Sequence, residues 1–213
     1  MSIVTLPTTL RLGAGGGMGQ ARFDTVSQSD ATGAQQARLL APPRWTLRLV
    51  QPDNLTLADA SAWQVLTMQL RGRVNVLAAW DVARPAPLGT LRGTLSLAAS
   101  AAAGATSTTV TGGSGQAGAT VRPGDWFQIG TGLGTSQLVM CTTAATADGS
   151  GVVALAFEPP LRTAHAIATA VAWDKPLAYY RQQTDAATWS LGRGGRSGPL
   201  VTGLSLDLME TWS

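Results

Sequence analysis

Acid–base chemistry has little to work with in this chain of 213 residues. There is one cysteine, Cys141, one histidine, His165, and one lysine, Lys175. The only glutamates are Glu158 and Glu210. A single cysteine excludes an internal disulfide. Its setting, LVM-C-TTA, reads as a strand with a small buried side chain, since nothing nearby would activate a thiol. His165, in LRTAHAIATA, has no Cys, Asp or Glu at ligand spacing, so it predicts neither a metal site nor a catalytic triad. The ten aspartates mostly sit in turns, where Asp is at home anyway. No phosphate-binding loop, HExxH or GxSxG occurs. These gaps predict a protein that is not an enzyme, with no cofactor and no metal.

Charge is also scarce. Asp, Glu, Lys and Arg make up 13% of the chain, against roughly a quarter in ordinary domains. The surface must therefore be built from Gly, Ser, Thr, Ala and Gln, which suit either water or subunit contacts. The net charge is +3, carried almost wholly by arginine. The arginines are scattered, the densest pairs being Arg71 with Arg73 and Arg193 with Arg196. No basic run marks a nucleic-acid patch. No apolar run reaches the ~18–20 residues of a membrane span. The N-terminus lacks the basic and apolar regions of a signal peptide. A soluble protein made in a cytoplasm is the expectation.

Periodicity supplies the positive signal. Residues 44–50 alternate, with Trp45, Leu47 and Leu49 on one face and Arg44, Thr46 and Arg48 on the other, so a half-buried strand is predicted. Thr56 is a suitable N-cap and Asp59 favours a helix N-terminus. A helix over about 57–71 follows, stopped by Gly72. At the helical period, Ala62, Trp63, Leu66 and Leu70 form one apolar stripe, and Leu57, Val65 and Met68 form another. Gln64, Thr67 and Arg71 make a narrow polar strip. A surface helix on a monomer needs one apolar stripe. The second stripe would meet either a second subunit or a loop of the same chain, and the first of these makes Leu57, Val65 and Met68 a candidate oligomer interface. The next strand, 73–80, is apolar on both faces and should be central. Two nearby prolines, Pro85 and Pro87, end it.

The flanks are less regular. Residues 1–12 alternate enough for a short strand. GAGGGMG (13–19) lacks the third glycine of a dinucleotide-binding loop, so it reads as a mobile loop or a site of close backbone approach. Residues 20–41 are polar and aperiodic and read as a long loop, a natural arm towards a neighbour in an assembly.

From residue 89 the texture changes. Short strands are predicted at 106–111, 125–130, 137–143, 152–157 and 167–173, with turn signals every ten or so residues, which argues for a small β-barrel or sandwich. Strands at 187–191 and 200–212 close the chain, joined by a flexible turn at 193–198. Trp80-Asp81 with Pro85 and Trp173-Asp174 with Pro176 mirror each other at the borders of this middle segment. The expected organisation is mainly β: a β-sandwich with one packed α-helix, built discontinuously from 1–88 and 174–213, plus an inserted small β-barrel or sandwich domain at 89–173.

PPRWTLRL (42–49), LADASAWQVLTMQLRGR (57–73) and WDVARPAPLGTLRG (80–93) come in an order that resembles the distal tail proteins of long-tailed, siphovirus-like bacteriophages. PGDWFQIGTG (123–132), TADGSGVVALAFEPPLR (146–162) and LVTGLSLDLMETW (200–212) fit the same pattern. The resemblance starts at about Pro42; the first 40 residues, with GAGGGMG, fall outside it. It implies a virion structural protein, assembled in the host cytoplasm into a homohexameric ring at the tail tip. Such a ring joins the tail tube protein to the baseplate hub and tip proteins, and the inserted domain faces outward and holds peripheral or receptor-binding proteins. DNA passes through the lumen without specific binding, for which the absence of a basic run is suitable. Two other readings stand beside it. One is another tail component, such as a tube-end or tail-completion protein. The other is a carbohydrate-binding β-sandwich, prompted by the seven tryptophans, most of which fall in predicted elements where core packing is their ordinary use.

Overall fold

The computed structural model of the chain describes residues 1–193 and 199–213. In chain order the first elements are β1 (Ile3–Thr5), β2 (Gly17–Gln28), β3 (Gln35–Val50), β4 (Leu55–Thr56), α1 (Leu57–Leu70) and β5 (Val76–Ala79). A run of short strands follows: β6 (Leu95–Leu97), β7 (Ser107–Thr111), β8 (Thr120–Val121), β9 (Trp126–Ile129), β10 (Gln137–Cys141), β11 (Ala145–Thr146), β12 (Val152–Glu158) and β13 (Ala170–Ala172). The chain ends with β14 (Ala178–Gln182), β15 (Ser190–Arg193), β16 (Pro199–Thr202) and β17 (Ser205–Glu210). The protein is mainly β, and the described residues hold one α-helix, several sheets and one closed barrel.

One sheet has six strands in the order β1-β5-β14-β17-β3-β2. A three-stranded sheet, β15-β16-β4, and helix α1 supply the second layer. Trp45, Leu47 and Leu49 turn inward from β3, and Leu204, Leu206 and Leu208 come from the β17 segment, as their alternation requires. Trp63, Leu66 and Leu70 of α1 close the same core. Strand β5 lies between β1 and β14 and is buried along its whole length, which is why both its faces are apolar.

The barrel closes in the order β10-β12-β7-β6-β13-β9. Strand β12 shows the logic: Val153, Leu155 and Phe157 point inward and alternate with more exposed neighbours. They meet Leu97, Val110, Phe127, Ile129 and Val139 in a separate core. Gly151 has φ 79°, and a Cβ there would collide with the carbonyl of Gly113, so the β11–β12 turn needs glycine. Cys141 lies inside this barrel, and burial, helped by the charge of Asp125, pushes its thiol up to about 12. That leaves it protonated, as its strand setting predicts.

Several expectations meet corrections. Residues 20–41 are not a loop: β2 and β3 pair from Gly17↔Arg48 out to Gln28↔Gln35. Their outer part, 24–40, is exposed on both faces. A ribbon with no core beneath it leaves no burial pattern to read. The predicted strand at 44–50 is thus the inner end of a longer one. Residues 200–212 form two strands, β16 and β17, parted by Gly203 at φ 87°. Strand β14 lies where no periodicity predicts a strand. The turn at 193–198 lies outside the described residues apart from its first position. In the glycine-rich loop, a Cβ on Gly13 would come within 2.8 Å of the Gln51 carbonyl, and one on Gly16 within 2.8 Å of that of Arg48. Close backbone approach is therefore the role of those two glycines.

The barrel residues run from 95 to 172, between the crossings at 80–93 and 173–177. The two crossings touch: the Lys175 backbone N–H donates to Pro85 O at 2.6 Å. The Lys175 ammonium lies 5.6 Å from the centre of the Trp80 ring. Asp125, 2% exposed, accepts from the N–H groups of Leu88 (2.7 Å), Gly89 (3.1 Å) and Arg122 (2.8 Å) and so pins the incoming chain to the barrel.

Sheet and barrel also share a buried polar cluster. The guanidiniums of Arg44 and Arg162 lie 4.5 and 4.2 Å from the centre of the Trp212 ring. Glu210 accepts from the Trp45 backbone N–H at 3.0 Å. Burial raises the Glu210 carboxyl above its ordinary value of 4.5, and the Trp45 N–H and the two arginines oppose that rise. His165 is depressed below 6.5, first by burial and then by Arg162. The two effects have opposite signs. A raised carboxyl contributes stability that is complete below 4.5 and is lost as pH rises through its folded value. A depressed histidine contributes stability present above 6.5 and lost as pH falls towards its folded value. In unfolding curves taken across pH, His165→Gln should remove the loss of stability that sets in as pH falls below 6.5. Glu210→Gln should leave that loss in place and instead gain on the wild type towards neutral pH. An unchanged pH profile in either variant would sink the corresponding assignment.

Candidate assembly interface

Helix α1 begins where Thr56 Oγ1 accepts the Asp59 N–H at 3.2 Å, and Arg11 pairs with Asp59 at 3.2 Å. It ends at Arg71, in the left-handed conformation, with its N–H on Met68 O. The observed end at Leu70 is one residue short of the predicted one.

The two apolar stripes have different fates. Trp63, Leu66 and Leu70 are buried, as is Thr67, whose hydroxyl donates to Trp63 O at 2.9 Å. The helical period puts Thr67 on the polar strip, but its back-bond to the preceding turn lets it sit inside. Leu57, Val65 and Met68 are 52%, 53% and 60% exposed. A helix with apolar residues on opposite sides and only one side covered keeps an unpartnered face.

That face borders an open strand. Among the described residues, strand β1 pairs only with β5, in parallel, through Ile3↔Val76, Val4↔Leu77 and Thr5↔Ala78. Ser2 O accepts from Val76 N, and Leu6 N donates to Ala78 O. The even-numbered residues thus spend their backbone groups on β5, and Ile3 and Thr5 direct theirs to the free edge. Such an edge is a template for another chain. Between β1 and α1 runs an open groove of about 750 Å³, lined by Ser2–Thr5, Ser61, Gln64, Val65, Met68, Gln69, Arg71 and Asn75. The structure therefore brings Val65 and Met68 together with Ile3. Leu57, at the far end of the helix, is exposed but outside the groove lining. Periodicity found the helix side; nothing local in the sequence reveals the free edge, because which strand ends a sheet is a tertiary fact.

Other features offer less. Among the described residues no three His, Cys, Asp or Glu side chains are grouped to hold a metal, and no helix is long and apolar enough to cross a membrane. Six of the seven tryptophans are buried or covered by an arginine, and Trp189 is 37% exposed. Trp45, Trp63, Trp80 and Trp126 are buried. Arg92 covers Trp173 at 4.8 Å, and Trp212 lies between two arginines. Compared with models of known protein families and with curated proteins, the chain has no match.

Proposed function

We propose that the chain is a structural subunit of a bacteriophage tail or tail-like particle. Copies meet through the α1–β1 face and close into a ring, hexameric by the pattern of the distal tail proteins it resembles. The ring sits at the distal end of the tail tube, joins it to the baseplate hub and tip, and directs the barrel outward as an attachment platform for peripheral proteins. The observation that carries this reading is the uncovered apolar side of α1 lying beside an unpaired strand edge. Each would be a liability in a monomer, and together they make one continuous sticky surface. The scarcity of charge and the order of motifs from Pro42 onward support it.

The test is the oligomeric state of the purified protein and of its mixture with tail tube protein, by light scattering and electron microscopy. Rings are expected. A monodisperse monomer at high concentration, with no rings beside tube protein, would overturn the reading. Val65→Asp or Met68→Asp should abolish assembly without unfolding, since both side chains are more than half exposed. Normal rings from both variants would move the interface elsewhere.

A further inference from the structure

The six-stranded sheet turns one face to α1 and the core. The alternation that buries Tyr180, Gln182, Leu208 and Glu210 sends their neighbours to the opposite face. There Arg181 of β14 lies beside Met209 of β17, which lies beside Thr46 of β3. The same register, carried on by two residues, sets Arg44 opposite Thr211. Arg44 and Arg181 thus flank β17 on the outer face, two strand steps or roughly 10 Å apart at the backbone. Arg73, from the turn after α1, reaches the same place, where it donates to Gln183 O and pairs with Asp185 at 3.2 Å. The three arginines line an open groove of about 350 Å³ together with Gln183, Met209 and Thr211.

Little in the chain neutralises these charges. Among the described residues neither Arg44 nor Arg181 has a carboxylate partner. Arg44 donates to Glu210 O at 3.4 Å; Arg181 donates to Ser213 O at 2.6 Å and to the weak acceptor Met1 Sδ. The Arg181 Nε–H is buried and has no acceptor among the described residues, a costly state for a charged donor. Glu210, the one carboxyl residue of the groove, is 4% exposed and accepts the Trp45 N–H inside the sheet. We infer that this groove is a binding site for a phosphate group. Guanidinium forks match oxyanions two oxygens at a time. A carboxylate has only two oxygens to divide among three arginines, whereas a phosphate has enough for all three, with the Gln183 amide beside them. The group may be supplied as free phosphate or by a nucleic-acid backbone, since both present the same oxygens.

The test is calorimetric titration of the full chain with inorganic phosphate and, separately, with a short DNA duplex, each against chloride at equal ionic strength. Saturable binding of one phosphate per chain is expected. Arg181→Gln should weaken it about tenfold to a hundredfold, the worth of a charge-assisted hydrogen bond. Arg73→Gln should weaken it as well; that side chain is 57% exposed, so its loss leaves the fold intact. Arg22→Gln removes the same charge from an exposed position on β2 and should leave affinity unchanged. Binding of the duplex alone, with the same dependence on Arg181 and Arg73, would assign the site to phosphodiesters. No binding of either probe would overturn the site. So would equal weakening by Arg22→Gln, since net charge alone would then explain the affinity.

Discussion

Trp63→Ala should cost about 3–5 kcal/mol of stability, whereas Met68→Ala, on the same helix, should change it by no more than about 0.5 kcal/mol. Trp63 is fully buried, and its indole N–H donates to Arg11 O at 2.9 Å. Truncation therefore opens a cavity between α1 and the six-stranded sheet and removes the partner of that carbonyl. Against a total of about 5–15 kcal/mol, the loss leaves little margin. In a chain of this length each kcal/mol moves the midpoint by about 2–4 °C, so a fall on the order of 6–20 °C is expected. Met68 is 60% exposed and has little packing to lose within one copy. Thermal unfolding of the two variants, at a concentration where the chain is monomeric, checks the contrast. Equal effects would mean that α1 is seated differently from the structure described.

That contrast also shows where the sequence is informative. The helix and its two sides follow from the spacing of Trp63, Leu66 and Leu70 against Val65 and Met68. Period is a local property, and the cap at Thr56 fixes its phase. Strand β12 is legible for the same reason: Val153, Leu155 and Phe157 alternate into a core. Strand β14 is not. It is five residues long, begins just after Lys175-Pro176, and its place between β5 and β17 depends on partners 101 and 30 residues away in the pairs Tyr179↔Ala78 and Tyr180↔Glu210. The arm at 24–40 fails for the opposite reason. Its pairing is local, but Thr, Ser and Gln over two exposed faces mimic a loop. Of the candidate site, the helix half could be read from residues 57–68; the β1 edge and the groove needed the sheet order.

The second large effect is expected at the seam between sheet and barrel. Trp45 of β3 and Trp126 of β9 meet edge to face, with ring centres 4.7 Å apart at 78°. Each indole also reaches across: Trp45 Nε1–H donates to Leu138 O at 2.9 Å, and Trp126 Nε1–H to Asp81 Oδ2 at 3.1 Å. Asp81 is 7% exposed and further held by Arg84 at 3.3 Å and by the Ala83 N–H at 3.0 Å. Trp126 and Leu138 belong by chain position to the barrel, yet they pack into the core of the sheet. They are the pegs that couple two otherwise separate cores. Trp126→Ala should therefore cost about 3–5 kcal/mol, and the buried Asp81 carboxylate loses one of its donors as well. The distinctive consequence concerns cooperativity. With the pegs intact, sheet and barrel should unfold together in one calorimetric transition. With Trp126 truncated, the barrel keeps its own core of Phe127, Ile129, Val139, Val153 and Phe157, and two transitions should appear. Trp45→Ala should do the same from the other side, and the double variant should lose less than the sum of the two, by about 0.5–1.5 kcal/mol for the lost ring contact. A single transition in all three variants, with additive losses, would mean that the cores are joined through the crossings at Pro85 and Lys175 instead, and that the two tryptophans only fill space.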